Sequence, residues 1–168
     1  MFKLLQSQEG FVDSLYADAE RGKSTEAYIW FFAGAPVSWS SHRQDIVATS
    51  STMAEYCAMS TAVKEGIALA KLAADLTLSP PWNKDDPETN PLLLHCDSDN
   101  AIRIVTNGKL STKVLWINTR YHLVRDLVKK NLVALINIPS KKNAADILTK
   151  AKKSYIVFLK TIVINCCV

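Results

Sequence analysis

An α/β protein, with a mixed sheet and helices packed on its faces, is what these 168 residues predict. Three observations carry that expectation. Three apolar or alternating segments follow one another early in the chain, joined by short turns, which implies an antiparallel meander. A long stretch with apolar residues every three or four positions comes next. Beyond it, short continuous apolar runs alternate with helical patterns, as in a mixed sheet. The composition agrees. Hydrophobic residues make up 48%, enough for the core of one domain, and Gly (5) and Pro (6) are too few for a collagen-like or low-complexity chain. Charged residues at 21% with a net charge of +4 do not suit a disordered chain.

The first strand is expected over Phe11–Tyr16, where apolar residues surround a single Asp. Lys23-Ser24-Thr25 is a polar turn, and the aromatic, β-branched stretch Ala27–Ala33 is a second strand. Gly34-Ala35-Pro36 turns the chain into a third strand over Val37–Ser41, in which Trp39 is expected to face the core. Ser50, Ser51 and Thr52 are N-cap candidates for a helix running to about Leu78. Its buried face is marked by Tyr56, Met59, Val63, Ile67, Ala70 and Ala74. Pro80, Pro81, Pro87 and Pro91 then hold a loop, with Trp82 on its surface. Leu92–Cys96 is a continuous apolar run suited to a buried central strand, and Asp97–Asn100 can cap a helix over Ala101–Thr106. A basic loop over Gly108–Val114, a helix over Arg120–Asn131 and a strand over Leu132–Ile138 complete the alternation. After the basic loop Pro139–Asn143, a last helix is expected near Ala144.

The small net charge hides an asymmetry. Residues 1–99 carry 7 Lys and Arg against 14 Asp and Glu, a net of −7, whereas residues 100–168 carry 13 against 2, a net of +11. A basic half joined to an acidic half points to a polyanionic partner or to a solvated basic face. None of the four Cys (Cys57, Cys96, Cys166, Cys167) forms a C-x-x-C pair, and Cys57 and Cys96 read as core residues. That usage fits a reducing, intracellular compartment, cytoplasm or nucleus. No signal peptide is visible at Met1–Gly10, and no run reaches the roughly 18 apolar residues of a membrane span.

Four acids lie where these elements begin or end. Asp13 sits inside the first strand between apolar neighbours, where an unpaired charge is expensive to bury. Glu55 lies near the start of the long helix, Asp97 directly follows an apolar strand, and Asp146 opens the last helix. Singly, each has a structural explanation: the helix dipole for Glu55 and Asp146, an N-cap for Asp97, a lysine partner for Asp13. Together they describe a carboxylate cluster drawn from four separated segments. Such a cluster repels itself, and hard divalent cations such as Mg²⁺ or Mn²⁺ relieve the repulsion. Two ions roughly 4 Å apart can hold a scissile phosphate.

Seven short motifs bear on that chemistry. In chain order they are Gly10-Phe11-Val12-Asp13; Lys23-Ser24-Thr25; Pro36 to Ser41 with Arg43-Gln44; Ser50 to Tyr56 (SSTMAEY); His95-Cys96-Asp97 through Ala101-Ile102; Arg120-Tyr121-His122 through Arg125; and Ala145 to Lys150 (ADILTK). Each is weak alone. In this order and spacing they resemble the ribonuclease H domain in the polyproteins of copia-type (pseudoviral) LTR retrotransposons. The resemblance implies a ribonuclease H-like fold: a mixed five-stranded sheet, its first three strands antiparallel, with helices on both faces. It implies a metal-dependent endonuclease that hydrolyses the RNA strand of RNA–DNA hybrids with two Mg²⁺ ions, Mn²⁺ being a possible substitute. The family's D-E-D-D cluster maps onto Asp13, Glu55, Asp97 and Asp146, with Asp18 and Asp99 as rivals for the first and third places. A reverse transcriptase domain of the parent element is the implied protein partner.

The resemblance covers residues 10–151. It leaves residues 1–9 as the remnant of an upstream polyprotein linker and residues 152–168 as an apolar C-terminal extension without a family counterpart. The chain departs from the family at Ser14-Leu15 and in the stretch Val114–Asn118, where Trp116 and Asn118 stand for His and Asp. Those departures keep open an alternative, a degenerate fragment that binds nucleic acid without cutting it. Expected phosphate contacts are Arg103, Lys109, Lys113, Arg120, Lys141 and Lys142, which would read hybrid shape rather than sequence.

Overall fold

The computed structural model describes residues 8–18, 22–76, 78, 91–107 and 120–150, with side chains from His122 onward in the last of these. The elements follow the expected order: β1 (Gln8–Leu15), β2 (Thr25–Phe32), β3 (Ala35–Arg43), α1 (Ser51–Asp75), β4 (Leu92–Cys96), α2 (Asp99–Asn107), α3 (Arg120–Lys129), β5 (Val133–Asn137) and α4 (Asp146–Thr149). A 3-10 turn, Ser140–Lys142, precedes α4. The strands form one sheet in the order β3-β2-β1-β4-β5. β1 pairs antiparallel with β2, and β2 with β3; β4 lies parallel to both β1 and β5. This is the mixed five-stranded sheet the sequence implies.

Strand alternation divides the core between two faces. Val12, Trp30, Leu92, Leu94 and Cys96 point to one face, where Tyr56, Met59 and Val63 of α1, Val105 of α2 and Val124 of α3 close over them. Ile29 and Phe31 point to the other face and pack with Phe11, Ala145 and Leu148 of the α4 segment. Helical structure therefore covers both faces. On α1 the predicted stripe holds for Tyr56, Met59, Val63 and Ala70, while Ile67 is half-buried and Ala73 rather than Ala74 is enclosed.

Trp30 organises the larger core. It is 1% exposed, and its indole Nε1 donates to the Ala62 carbonyl at 2.9 Å. The ring lies between Gly10 of β1 and Gly66 of α1, where a Cβ would fall 2.7 Å and 2.3 Å from Cζ2. Only glycine lets sheet and helix approach an indole so closely.

Two expectations need correcting. The β2–β3 turn is Ala33-Gly34, with φ of 51° and 82°, rather than Gly34-Ala35-Pro36. Two positive φ values match the twist of a tight hairpin, and Pro36 is tolerated inside β3 because β3 is an edge strand. Trp39 is 54% exposed rather than core, because its register partner Ile29 faces the side that, among the described residues, the short α4 segment covers. The expected loop at Gly108–Val114, Trp82 and residues 152–168 lie outside the described residues. No helix among the described residues is long and apolar enough to cross a membrane.

Candidate active site

The four acids come from β1, α1, the end of β4 and α4, and Asp13 interacts electrostatically with Asp97 and Asp146, as Glu55 does with Asp13 and Asp97. β1 and β4 run parallel with Phe11 opposite His95, so two residues further along each strand come Asp13 and Asp97. Glu55 reaches this end from α1: its Oε1 accepts from the Ser14 backbone N–H at 3.1 Å. It stands one turn inside the helix, whose first turn holds no acid, so the helix dipole does not account for it. Ser50 caps α1 instead, accepting from the Met53 N–H at 3.2 Å. One oxygen each of Glu55 and Asp97, with the Cys96 sulfur, lie within 4.8 Å of one another.

Asp146 arrives last along the chain. Asn143 is buried, donates from Nδ2 to the Val12 carbonyl at 2.9 Å, and accepts from the Ala145 N–H at 3.1 Å. Ser41 Oγ donates to the Leu148 carbonyl at 2.7 Å and pins α4 from the side of β3. The Thr149 hydroxyl donates to Asp13 Oδ2, and Lys150 Nζ donates to Asp146 Oδ1.

Asp97 and Asp99 do different work. Ser98 caps α2: its Oγ accepts from the Ala101 N–H at 3.3 Å and its carbonyl from the Ile102 N–H at 3.1 Å. Asp97 is thus not the cap and remains in the cluster. Asp99 is exposed, pairs with Arg103 at 2.8 Å and accepts from Asn137 Nδ2 at 3.4 Å. Asp18 accepts from both the backbone N–H and the hydroxyl of Thr25 at 2.8 Å, closing the β1–β2 connection. The structure therefore groups Asp97 with Glu55, and leaves Asp18 and Asp99 in local contacts.

The cluster's electrostatics follow from burial and like charge. Burial pushes the Asp13 carboxyl up to about 6; Thr149 opposes this, while Asp97 and Asp146 add to it. Burial, then the neighbouring Asp13, pushes Glu55 up to about 8. Burial and the adjacent Glu55 push the Cys96 thiol far up, so it is a neutral S–H beside the carboxylates. Carboxylate oxygens held beside like charges are the kind of donors a hard divalent ion takes.

A pH dependence follows. Folded Asp13 and Glu55 keep protons that the unfolded chain gives up at ordinary carboxyl values, so folding takes up protons. The stability they contribute falls as pH rises, over 3.8–6 for Asp13 and 4.5–8 for Glu55. In EDTA the thermal midpoint should be higher near about pH 5 than near about pH 8. Glu55→Gln should flatten that difference in melting curves. A midpoint that rises over the same interval in wild type would contradict the assignment.

Of the expected phosphate contacts, Arg103, Lys141 and Lys142 are exposed, with Arg103 in its pair with Asp99 and the lysines in the 3-10 turn before α4. Lys109, Lys113 and the Arg120 side chain lie outside the described residues. Sequence reasoning passed over Asn143, Thr149, Lys150 and Cys96 as parts of the site. The i, i+4 spacing of Asp146 and Lys150 was a readable signal for one of them.

The five-stranded mixed sheet with helices on both faces is a ribonuclease H-like fold. LC11-RNase H1, isolated from compost by a metagenomic approach, superposes with a TM-score of 0.60 at 17% identity, over 85% of this chain and 92% of that one. The same protein in complex with an RNA/DNA hybrid superposes at 0.54, with 18% identity over 84% and 93%. The chain belongs to the ribonuclease H domains of copia-type retrotransposon Pol polyproteins. It is 32% identical over 143 residues to the retrovirus-related Pol polyprotein from transposon TNT 1-94 of Nicotiana tabacum, across 84% of this chain and 10% of the relative. It is 28% identical to that from transposon RE1 of Arabidopsis thaliana, across 76% and 8%. The chain thus spans about a tenth of the length of the curated relatives it matches. No protein-family model matches it.

Proposed function

We propose that this domain cuts the RNA strand of RNA–DNA hybrids, with Asp13, Glu55, Asp97 and Asp146 as the ligands of two Mg²⁺ ions. The observation that carries the reading is the gathering of these acids from four separated segments. Asp13 and Glu55 are buried at 6% and 7% exposure, and both carry raised proton affinity. Mg²⁺ held there would activate the attacking water and stabilise the charge of the departing 3′ oxygen.

The chain's own groups supply orientation. Thr149 holds one oxygen of Asp13 and leaves the other for a cation, while on Glu55 the Ser14 N–H takes Oε1 and the Cys96 thiol reaches Oε2 at 3.8 Å, a weak contact that a cation would displace. Arg103, Lys141 and Lys142 would take the hybrid's phosphates, a sequence-independent contact. The hybrid as substrate is supported by LC11-RNase H1, which has been solved with one bound. The reverse transcriptase partner is supported by the structural likeness to a foamy viral protease-reverse transcriptase, at a TM-score of 0.55 and 17% identity.

The test compares labelled RNA–DNA hybrid, double-stranded RNA and double-stranded DNA, each with the pure chain and Mg²⁺. Cleavage confined to the RNA of the hybrid is expected. An intact hybrid beside an active control enzyme sinks the reading. Salt-sensitive hybrid binding without cutting would instead establish the non-catalytic alternative.

A further inference from the structure

Building on the acidic cluster as a divalent-cation site, we propose that Lys150 is its internal counter-cation, a displaceable charge that competes with metal for Asp146 and holds the site's affinity down. Lys150 Nζ bonds Asp146 Oδ1, one of the two oxygens through which Asp146 could hold a divalent ion. The ammonium also lies close enough to interact with Asp13 and Asp97, so it senses three of the four acids at once.

Neighbouring residues divide the work. Thr149 is buried and turned inward to Asp13 Oδ2, a contact fixed by packing. Lys150 is the next residue, and its side chain is 58% exposed. Its contact can therefore be given up without opening the core. An ammonium and a divalent ion cannot share one carboxylate oxygen without strong repulsion at contact distance. Metal loaded on Asp146 repels the neighbouring Lys150 ammonium, and either the repulsion or the lost pair subtracts from the metal's binding energy. With no metal, the same pair offsets part of the repulsion that four acids impose on the fold.

The test is Mn²⁺ and Mg²⁺ titration of the full chain by calorimetry, a readout independent of turnover. Lys150→Met and Lys150→Gln should bind metal about tenfold more tightly than wild type, and Lys150→Arg should stay within about twofold of it. In EDTA the two neutral variants should melt below wild type. Unchanged or weaker metal binding by both neutral variants overturns the proposal, and if wild type binds metal in that experiment the divalent-cation reading still stands. Binding by the neutral variants where wild type shows none supports the proposal strongly. Absence of binding in every variant removes the proposal and the underlying reading together.

Discussion

Asp97→Asn should lower the initial rate of hybrid cleavage by at least about a thousandfold, while Asp99→Asn leaves it within about twofold. The two acids are two residues apart in sequence but differ in surroundings. Asp97 sits with Glu55 and Cys96 within 4.8 Å, spared from capping by Ser98. Asp99 is exposed and spends its charge on Arg103 and Asn137. Each 1.4 kcal/mol of lost transition-state stabilisation is about tenfold in rate, and a metal ligand supplies several of them. The replacement should not unfold the chain. It removes a charge that raises both Asp13 and Glu55, so the metal-free melting point should hold or rise. A large loss with Asp99→Asn and a small one with Asp97→Asn would move the ligand assignment to Asp99.

Gly66→Ala should destabilise the protein by about 3 kcal/mol, a drop of roughly 10 °C in thermal midpoint for a domain of this size. The sign is the informative part. In a helix interior, Gly→Ala ordinarily gains about 1 kcal/mol. Here the added methyl would sit 2.3 Å from Trp30 Cζ2, inside a fully buried ring that is also held by its bond to Ala62. Gly10→Ala meets the same ring from the sheet side at 2.7 Å. A smaller residue at Trp30 should recover much of the Gly66→Ala loss in a double-mutant cycle. A Gly66→Ala protein that melts at or above wild type would show that the indole has room to move.

The order of elements and the sheet's polarity could be read from the chain because they follow from local pattern. Leu92–Cys96 is apolar apart from His95, and the structure gives it the same bounds as a strand buried at Leu92, Leu94 and Cys96. The four acids stand out in the sequence because each interrupts or ends an apolar pattern. What local pattern does not encode is which elements meet. The alternation of β3 puts Trp39 on one face but does not say that, among the described residues, a helix of just four residues covers that face. Gly10 and Gly66 are unremarkable until Trp30 is found between them. Asn143 and Thr149 act on Val12 and Asp13 from 131 and 136 residues away, a pairing no window of sequence displays.

Those long-range bonds bear on biosynthesis. A nascent chain emerging from the ribosome can pair β1, β2 and β3 and lay α1 over them while residues 143–150 are still unmade. At that stage Asp13 has no hydroxyl donor from Thr149, and Asp146 has not been translated. The acid cluster therefore cannot be completed before synthesis has passed Thr149, so the site assembles only after the sheet that carries it has formed.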